Sequence, residues 1–151
     1  MPTFRFSPLQ GARTSVKRAV GFLEDENDAS IDAAAGFASL KENHERTLRA
    51  RFDHWIDGNS YPKYYHGWPD LPRYKECFTF KWDENQVHHR LYGFLFNPKP
   101  KSAPAFRVCV LAYHDTKTDD TDFTILDRVN ELRTSAGVLN AIRKVYPEER
   151  S

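Results

Sequence analysis

The sequence has no apolar run approaching the roughly 20 residues that a helix needs to cross a bilayer, and its charges nearly cancel, with a formal net charge of +1. Its first residues, Met1 to Arg5, lack the apolar core of a signal peptide. Internal repeats and low-complexity segments are absent as well. These absences predict a cytoplasmic protein that has no membrane partner.

Cysteine is also scarce. The two cysteines, Cys77 and Cys109, both fall inside predicted strands, and no second ligand follows either of them at Cys-x-x-Cys or Cys-x-x-His spacing. The pattern is typical of buried, reduced thiols in a cytosolic protein. It therefore predicts neither a disulfide nor a metal site, and we expect no cofactor.

What the sequence does contain is enough apolar material for one domain. Its 151 residues are 40% hydrophobic and 14% aromatic, which argues against disorder. The charge is distributed unevenly along the chain. The segment from Glu24 to Asp57 holds nine acidic and four basic residues, whereas the segment from Lys75 to Thr118 holds seven basic and four acidic residues. A positive half beside an acidic half can approach a polyanion from one side.

The N-terminal part is predicted to be helical over residues 12–57, after a short strand at Thr3 to Pro8. Helical spacing of four apolar residues predicts a first helix over residues 12–24, and Ser30 is a plausible N-cap for a second helical stretch. That stretch ends at Gly58, a residue suited to a left-handed C-terminal cap. Its apolar stripe thins near residues 42–44, where a break is possible. The four residues of the first stripe are Val16, Ala19, Val20 and Leu23.

The central part, residues 74–117, alternates between apolar and polar residues in the way of β-strands. Three prolines make residues 59–73 a loop. Short connections over residues 83–86 and 97–104 then join three strands into an antiparallel meander. Apolar residues at helical spacing predict helices within 121–146. We therefore predict a single α+β domain over residues 1–151, with N-terminal helices packed on a three- to four-stranded antiparallel sheet, followed by one or more C-terminal helices.

Polar side chains cluster at one end of the second predicted hairpin, formed by the strands around Leu91 and Leu111. If these strands pair antiparallel, the residues that open the first and the residues that close the second meet at one edge of the sheet. This edge is the predicted site. The residues expected there are His88, His89, Arg90, Tyr92, Tyr113, His114 and Lys117.

The order of elements and two short motifs resemble the RelE/HigB-type toxins of bacterial toxin–antitoxin modules, in particular their phage-associated relatives. The first motif is Arg90-Leu91-Tyr92, which follows a hairpin turn. The second is His114-Asp115-Thr116-Lys117-Thr118, which leads into the helix from Asp122. The resemblance covers residues 74–134. The chain departs from the family pattern in having Asp115-Thr116 before a single Lys117, where two adjacent basic residues are usual.

The resemblance implies metal-independent cleavage of messenger RNA on the ribosome, and an antitoxin protein as a second partner. Cleavage through the RNA 2′-hydroxyl needs a base, a cation beside the phosphate and an acid for the leaving oxygen. Arg90 suits the phosphate, because its planar fork matches phosphate oxygens. Lys81, which pairs across the short turn with Arg90, and His88 are rival bases, and His114 or Lys117 is the acid. The expected substrate-binding residues are Tyr92, Tyr113, Lys75 and Arg107.

Other interpretations remain open at this point. Lys81 is equally a solvated strand end, and Arg90 an ion-pair partner of Glu76 or Asp115. The alternative function is a non-catalytic protein of the same fold and of phage or mobile-element origin, which only docks a protein or a nucleic acid. A metal nuclease built on His88 and His89 is the weakest hypothesis, since no carboxylate or cysteine set completes such a site.

Overall fold

The computed structural model describes residues 3–9, 17–117 and 122–149, with the backbone alone for Lys117. Its strands and helices alternate in a mixed order, and a short 3-10 turn precedes the fourth strand. In chain order they are β1 (Phe4–Pro8), β2 (Arg18–Asp25), α1 (Ala33–Ala38), α2 (Glu42–Ile56), β3 (Tyr65–Gly67), the 3-10 turn Pro72–Tyr74, β4 (Cys77–Glu84), β5 (Val87–Phe96), β6 (Arg107–Lys117), α3 (Phe123–Arg133) and α4 (Ala136–Val145).

The sheet corrects the predicted fold class. It has six strands in the order β1-β2-β6-β5-β4-β3, not three or four, and it is mixed, because β2 runs parallel to β6 while the other neighbours are antiparallel. The helices also do not come first, since two strands precede them. The three-stranded meander β4-β5-β6 is the part of the prediction that the structure confirms.

The predicted helix over residues 12–24 is wrong, because Arg18–Asp25 forms the strand β2. This strand lies between β1 and β6 in the sheet, and both of its faces are buried in the core: Val20 and Phe22 pack on one side and Leu23 on the other. A strand buried on both faces carries a continuous apolar run, and in a short segment such a run also satisfies helical spacing. Residues 12–16 of that prediction lie outside the described residues.

The sheet is sandwiched between two helical layers. Helices α1 and α2 cover one face, where Phe52 packs edge-on against Phe80 at a ring-centroid distance of 4.8 Å. Helices α3 and α4 cover the opposite face, where Leu126 and Ile142 are fully buried. The first face is called the α2 face below, and the second the α3 face.

The second helical stretch is confirmed with small shifts, except at its start. Ser30 is not the N-cap, because α1 begins at Ala33 with Asp32 as its N-cap and the Ser30 hydroxyl donates to Asp28. The break falls at residues 39–41, just before the predicted position, and Gly58 has the expected left-handed backbone at φ +95°. Asp122 caps α3 by accepting a hydrogen bond from the backbone N–H of Thr124. Residues 119–121, whose types also suit a helix cap, lie outside the described part of the chain.

The β4–β5 turn is tighter than the sequence suggested. Only Asn85 and Gln86 lie outside the strands, both with positive φ, at 52° and 67°. A two-residue turn with left-handed backbone at both positions is of type I′, for which Asn-Gly is the preferred pair. Gln86 is therefore conformationally unfavourable here.

Replacing Gln86 with glycine should raise the free energy of unfolding by about 0.5–1 kcal/mol, because glycine adopts a positive φ without the steric penalty of a side chain. Urea denaturation of the two proteins measures the difference. Gln86→Ala is the matched control and should give no gain, since alanine keeps the Cβ atom. Equal stabilisation by both substitutions would contradict the argument from backbone conformation.

Candidate functional site

The tight turn sets the register that brings the site residues together. Lys81 on β4 is the direct cross-strand partner of Arg90 on β5, and Asp83 is the partner of His88. Directly opposed residues have Cβ atoms about 5 Å apart and share a face of the sheet. The prediction that Lys81 and Arg90 lie side by side is confirmed. All four residues lie on the α3 face, opposite Trp82 and His89.

The next strand extends this row. Asp115 on β6 is the register partner of Arg90, and Lys117 is the register partner of His88. The side chain of Lys117 lies outside the described part of the chain. Although Asp115 sits in register with Arg90, no carboxylate oxygen of a described residue comes within 4.0 Å of the Arg90 guanidinium. The interpretation of Arg90 as an ion-pair partner of Glu76 or Asp115 therefore finds no contact in the structure.

Within this row of residues, Lys81 has a shifted pKa. Its pKa lies below the ordinary lysine value, first because burial disfavours the ammonium ion and then because Arg90 and Arg51 are close. Asp83 acts in the opposite direction and offsets part of the effect. A lysine of lowered pKa gives up its proton more readily than a free one, so it suits proton transfer as well as phosphate binding.

Asp83 and His88 form a hydrogen-bonded pair. The Nδ1 atom of His88 lies 2.6 Å from the Oδ1 atom of Asp83, and the two side chains are 52% and 68% exposed. With Nδ1–H donated to the carboxylate, the Nε2 atom carries the free lone pair and can accept a proton. Sequence reasoning found the histidine and missed its partner, because it placed Asp83 in the connection over residues 83–86, whereas β4 continues to Glu84.

These residues line a cavity of about 440 Å³ at the hairpin end of the sheet. The cavity lies beside the start of β3. There the Lys81 backbone N–H donates a hydrogen bond to the Tyr64 carbonyl at 2.8 Å. Among the described side chains that line the cavity, four are cations and one, that of Asp83, is a carboxylate. The lining residues are Arg51, Lys63, Tyr64, Lys81, Trp82, Asp83, His88, His89 and Arg90.

Arg51 and Lys63 are two further lining residues that sequence reasoning missed. Arg51 projects from α2, donates a hydrogen bond to the carbonyl of Lys81 and lies over the Tyr64 ring, 4.2 Å from its centroid. Burial lowers its pKa, and Tyr64 and Asp83 partly offset that effect. Nothing in the local sequence marks Arg51, because its position at the cavity depends on how α2 crosses the sheet.

Four other predicted site residues lie elsewhere. Tyr92 and Tyr113 are on the α3 face with Arg90 but are buried, with Trp68 beside the first ring and the Arg128 guanidinium 4.5 Å from the second. Lys75 precedes β4, and Arg107 begins β6. Both are at the end of the sheet opposite the β4–β5 turn, so neither lines the cavity with Lys81 and Arg90.

His114 is on the α2 face, so the structure does not place it beside Arg90. Its Nε2 atom lies 3.0 Å from Nδ1 of His89, and both rings lie nearly parallel to Trp82. Helix α1 packs directly on this imidazole pair, since Asp32 accepts the His114 backbone N–H at 2.8 Å. The other ring nitrogen of His89, Nε2, lies 3.6 Å from the Oε2 atom of Glu84.

The imidazole pair predicts a pH-dependent stability. Burial, followed by the proximity of His89, lowers the pKa of His114 from its ordinary 6.5. Unfolded chains therefore bind more protons than folded ones below about pH 6.5, and the free energy of unfolding should fall as the pH falls through this range. The carboxylates that face the pair, Asp32 and Glu84, limit the loss without abolishing it.

Urea unfolding at several pH values between 7.5 and 5 measures this effect. The loss of stability should be smaller for His114→Gln than for the unchanged chain, because glutamine keeps polar atoms near His89 and does not titrate. Parallel pH profiles for the two proteins would show that the imidazole pair does not contribute to the dependence.

Among the described residues no group of three or more His, Cys, Asp or Glu side chains is arranged to hold a metal ion. In the same part of the chain, no helix combines the length and apolar character of a membrane span. No family model, curated protein or solved structure matches the chain. Interpretation of the site therefore rests on its own geometry.

Proposed function

We propose that the chain is a metal-independent endoribonuclease of the RelE/HigB type that cuts messenger RNA, with ribosome-bound messenger RNA as the expected substrate and an antitoxin protein as its expected inhibitor. The observation that carries the proposal is the cavity at the β4–β5 turn, where four cations and a hydrogen-bonded Asp–His pair converge.

The cations of this cavity lack neutralising partners in the structure. None of Arg51, Lys81 and Arg90 has a carboxylate oxygen of a described residue within 4.0 Å, and the same holds for Lys63. Like charges held close together raise the free energy of the folded chain unless an anion joins them. A phosphodiester supplies that anion, and arginine binds two phosphate oxygens at once.

The reaction follows from the placement of these groups. The Nε2 atom of His88 takes the proton of the ribose 2′-hydroxyl, and the 2′-oxygen attacks phosphorus. The bond from phosphorus to the 5′-oxygen breaks, which leaves a 2′,3′-cyclic phosphate and a 5′-hydroxyl. Arg90 stabilises the charge that develops on the phosphate oxygens. Lys81, with its lowered pKa, donates a proton to the leaving oxygen in the place expected of His114.

The second candidate is a non-catalytic protein that docks RNA at the same cavity. The exposure of His88 and Asp83 favours it, at 52% and 68%, since catalytic sites usually exclude water from the reacting groups. Both candidates bind RNA, and only the first produces new RNA ends.

Induction of the gene in a bacterial host, followed by mapping of messenger-RNA 5′ ends, separates the two candidates. The unchanged chain should arrest growth and create new 5′-hydroxyl ends, and Arg90→Ala should do neither. Arg107→Ala is the matched control, an arginine removed from the far end of the sheet, and should behave like the unchanged chain. Accumulation of the unchanged, folded chain without new ends would contradict the nuclease and leave the docking protein.

A further inference from the structure

We propose that Arg51 and Tyr64 form a nucleobase-binding subsite beside the phosphate-binding residues, so that the cavity takes a whole ribonucleotide. The inference rests on the proposed function for the identity of the ligand as RNA. The charged residues account for binding of the phosphate, and this subsite accounts for binding of the base.

The first observation is size. A cavity of about 440 Å³ falls in the range that proteins use for small organic ligands, about 300–1,000 Å³. A phosphate group held by Lys81 and Arg90 fills only a small part of it. The same cavity is also lined by Lys63, Tyr64 and Arg51.

The second observation is the way Arg51 is held. Its guanidinium carbon lies 4.2 Å from the centroid of the Tyr64 ring, and its hydrogen bond to the Lys81 carbonyl holds it there. Tyr64 is itself supported by Tyr61, whose ring centroid is 4.4 Å away. Arginine guanidinium planes and aromatic rings are the groups on which proteins stack bases, and here one of each lies at the wall of the cavity.

The third observation is the linkage between this stack and the phosphate-binding row. The residue that accepts the Arg51 hydrogen bond is Lys81, whose side chain faces the phosphate position. The Lys81 backbone N–H also bonds to the carbonyl of Tyr64 at 2.8 Å. The stacking surface and the phosphate-binding lysine are therefore fixed to each other through the backbone of one residue.

Calorimetric titration with adenosine 3′-monophosphate, inorganic phosphate and adenosine tests the subsite without requiring cleavage. The mononucleotide should bind at least 5-fold more tightly than phosphate. Tyr64→Ala should weaken mononucleotide binding about 5- to 100-fold and leave phosphate binding unchanged. Tyr64→Phe, which keeps the ring, should bind like the unchanged chain. Equal affinities for mononucleotide and phosphate would overturn the subsite. An acidic peptide, hexaglutamate, is titrated in the same way, and tighter binding of this peptide than of the mononucleotide would also overturn it.

A measurement on the unchanged chain covers the case in which Tyr64→Ala fails to fold. In NMR spectra, the mononucleotide should shift the Arg51 Nε–Hε signal and the Tyr64 ring signals, whereas inorganic phosphate should not. Mononucleotide binding with these shifts, in a chain that does not cut RNA, would remove the nuclease and keep the subsite. RNA cleavage together with unshifted Arg51 and Tyr64 signals would remove the subsite alone.

Discussion

His88→Ala should lower the rate of RNA cleavage by about 10²- to 10⁴-fold, the usual contribution of a positioned general base, while RNA affinity changes little. The imidazole is held 2.6 Å from Asp83 and is exposed to the cavity, so its removal takes away the proton acceptor without opening the core. Single-turnover cleavage of a labelled messenger RNA bound to ribosomes measures the rate. Retained activity in the folded variant would show that another group takes the proton.

Asp83→Asn is the companion to this experiment. The amide cannot stabilise the imidazolium that forms during proton transfer, but it still offers an oxygen to the Nδ1–H group. Its expected loss of rate is therefore smaller than that of His88→Ala. A loss as large as that of His88→Ala would mean that the carboxylate does more than orient and stabilise the ring.

Arg90→Gln should reduce cleavage by about 10²- to 10³-fold, the range found when one group that stabilises transition-state charge is removed. Arg90→Lys should recover only part of the rate, because an ammonium ion cannot bind two phosphate oxygens in one plane. The same single-turnover assay at saturating protein concentration measures both variants. If Arg90→Gln is fully active at saturation, the guanidinium contributes to RNA affinity and not to the chemical step.

That Lys81 and Arg90 share a face of the sheet could be predicted from the sequence, because strand alternation depends on local information alone. Their direct pairing could not, because the register depends on the length and position of the turn. The predicted turn over residues 83–86 is centred one residue before the observed turn at Asn85 and Gln86, so it would have paired Lys81 with His88, which lies on the same face. The same alternation separates His114 from Tyr113 and Asp115, and applying it strictly would have moved His114 out of the site.

The parallel pairing of β2 with β6 could not be predicted in this way. It joins Arg18 to Arg107 across 89 positions of the sequence, and no local pattern encodes contacts of such separation. The position of Arg51 belongs to the same class, because it depends on where α2 crosses the sheet. Arg51 therefore reaches the cavity through long-range packing, whereas Lys81, Asp83, His88 and Arg90 are brought together by the local pairing of β4 with β5.

The salt dependence of RNA binding tests most directly whether the cavity holds phosphate. With the logarithm of the binding constant of a short single-stranded RNA plotted against the logarithm of salt concentration, three or four phosphate contacts predict a slope of about −2 to −3. Lys81→Gln and Arg90→Gln should each reduce the steepness by about 0.7. Lys75→Gln and Arg107→Gln, at the other end of the sheet, should leave it unchanged. If both pairs of substitutions flatten the slope equally, RNA is attracted by the surface charge at large and the cavity is not its binding site.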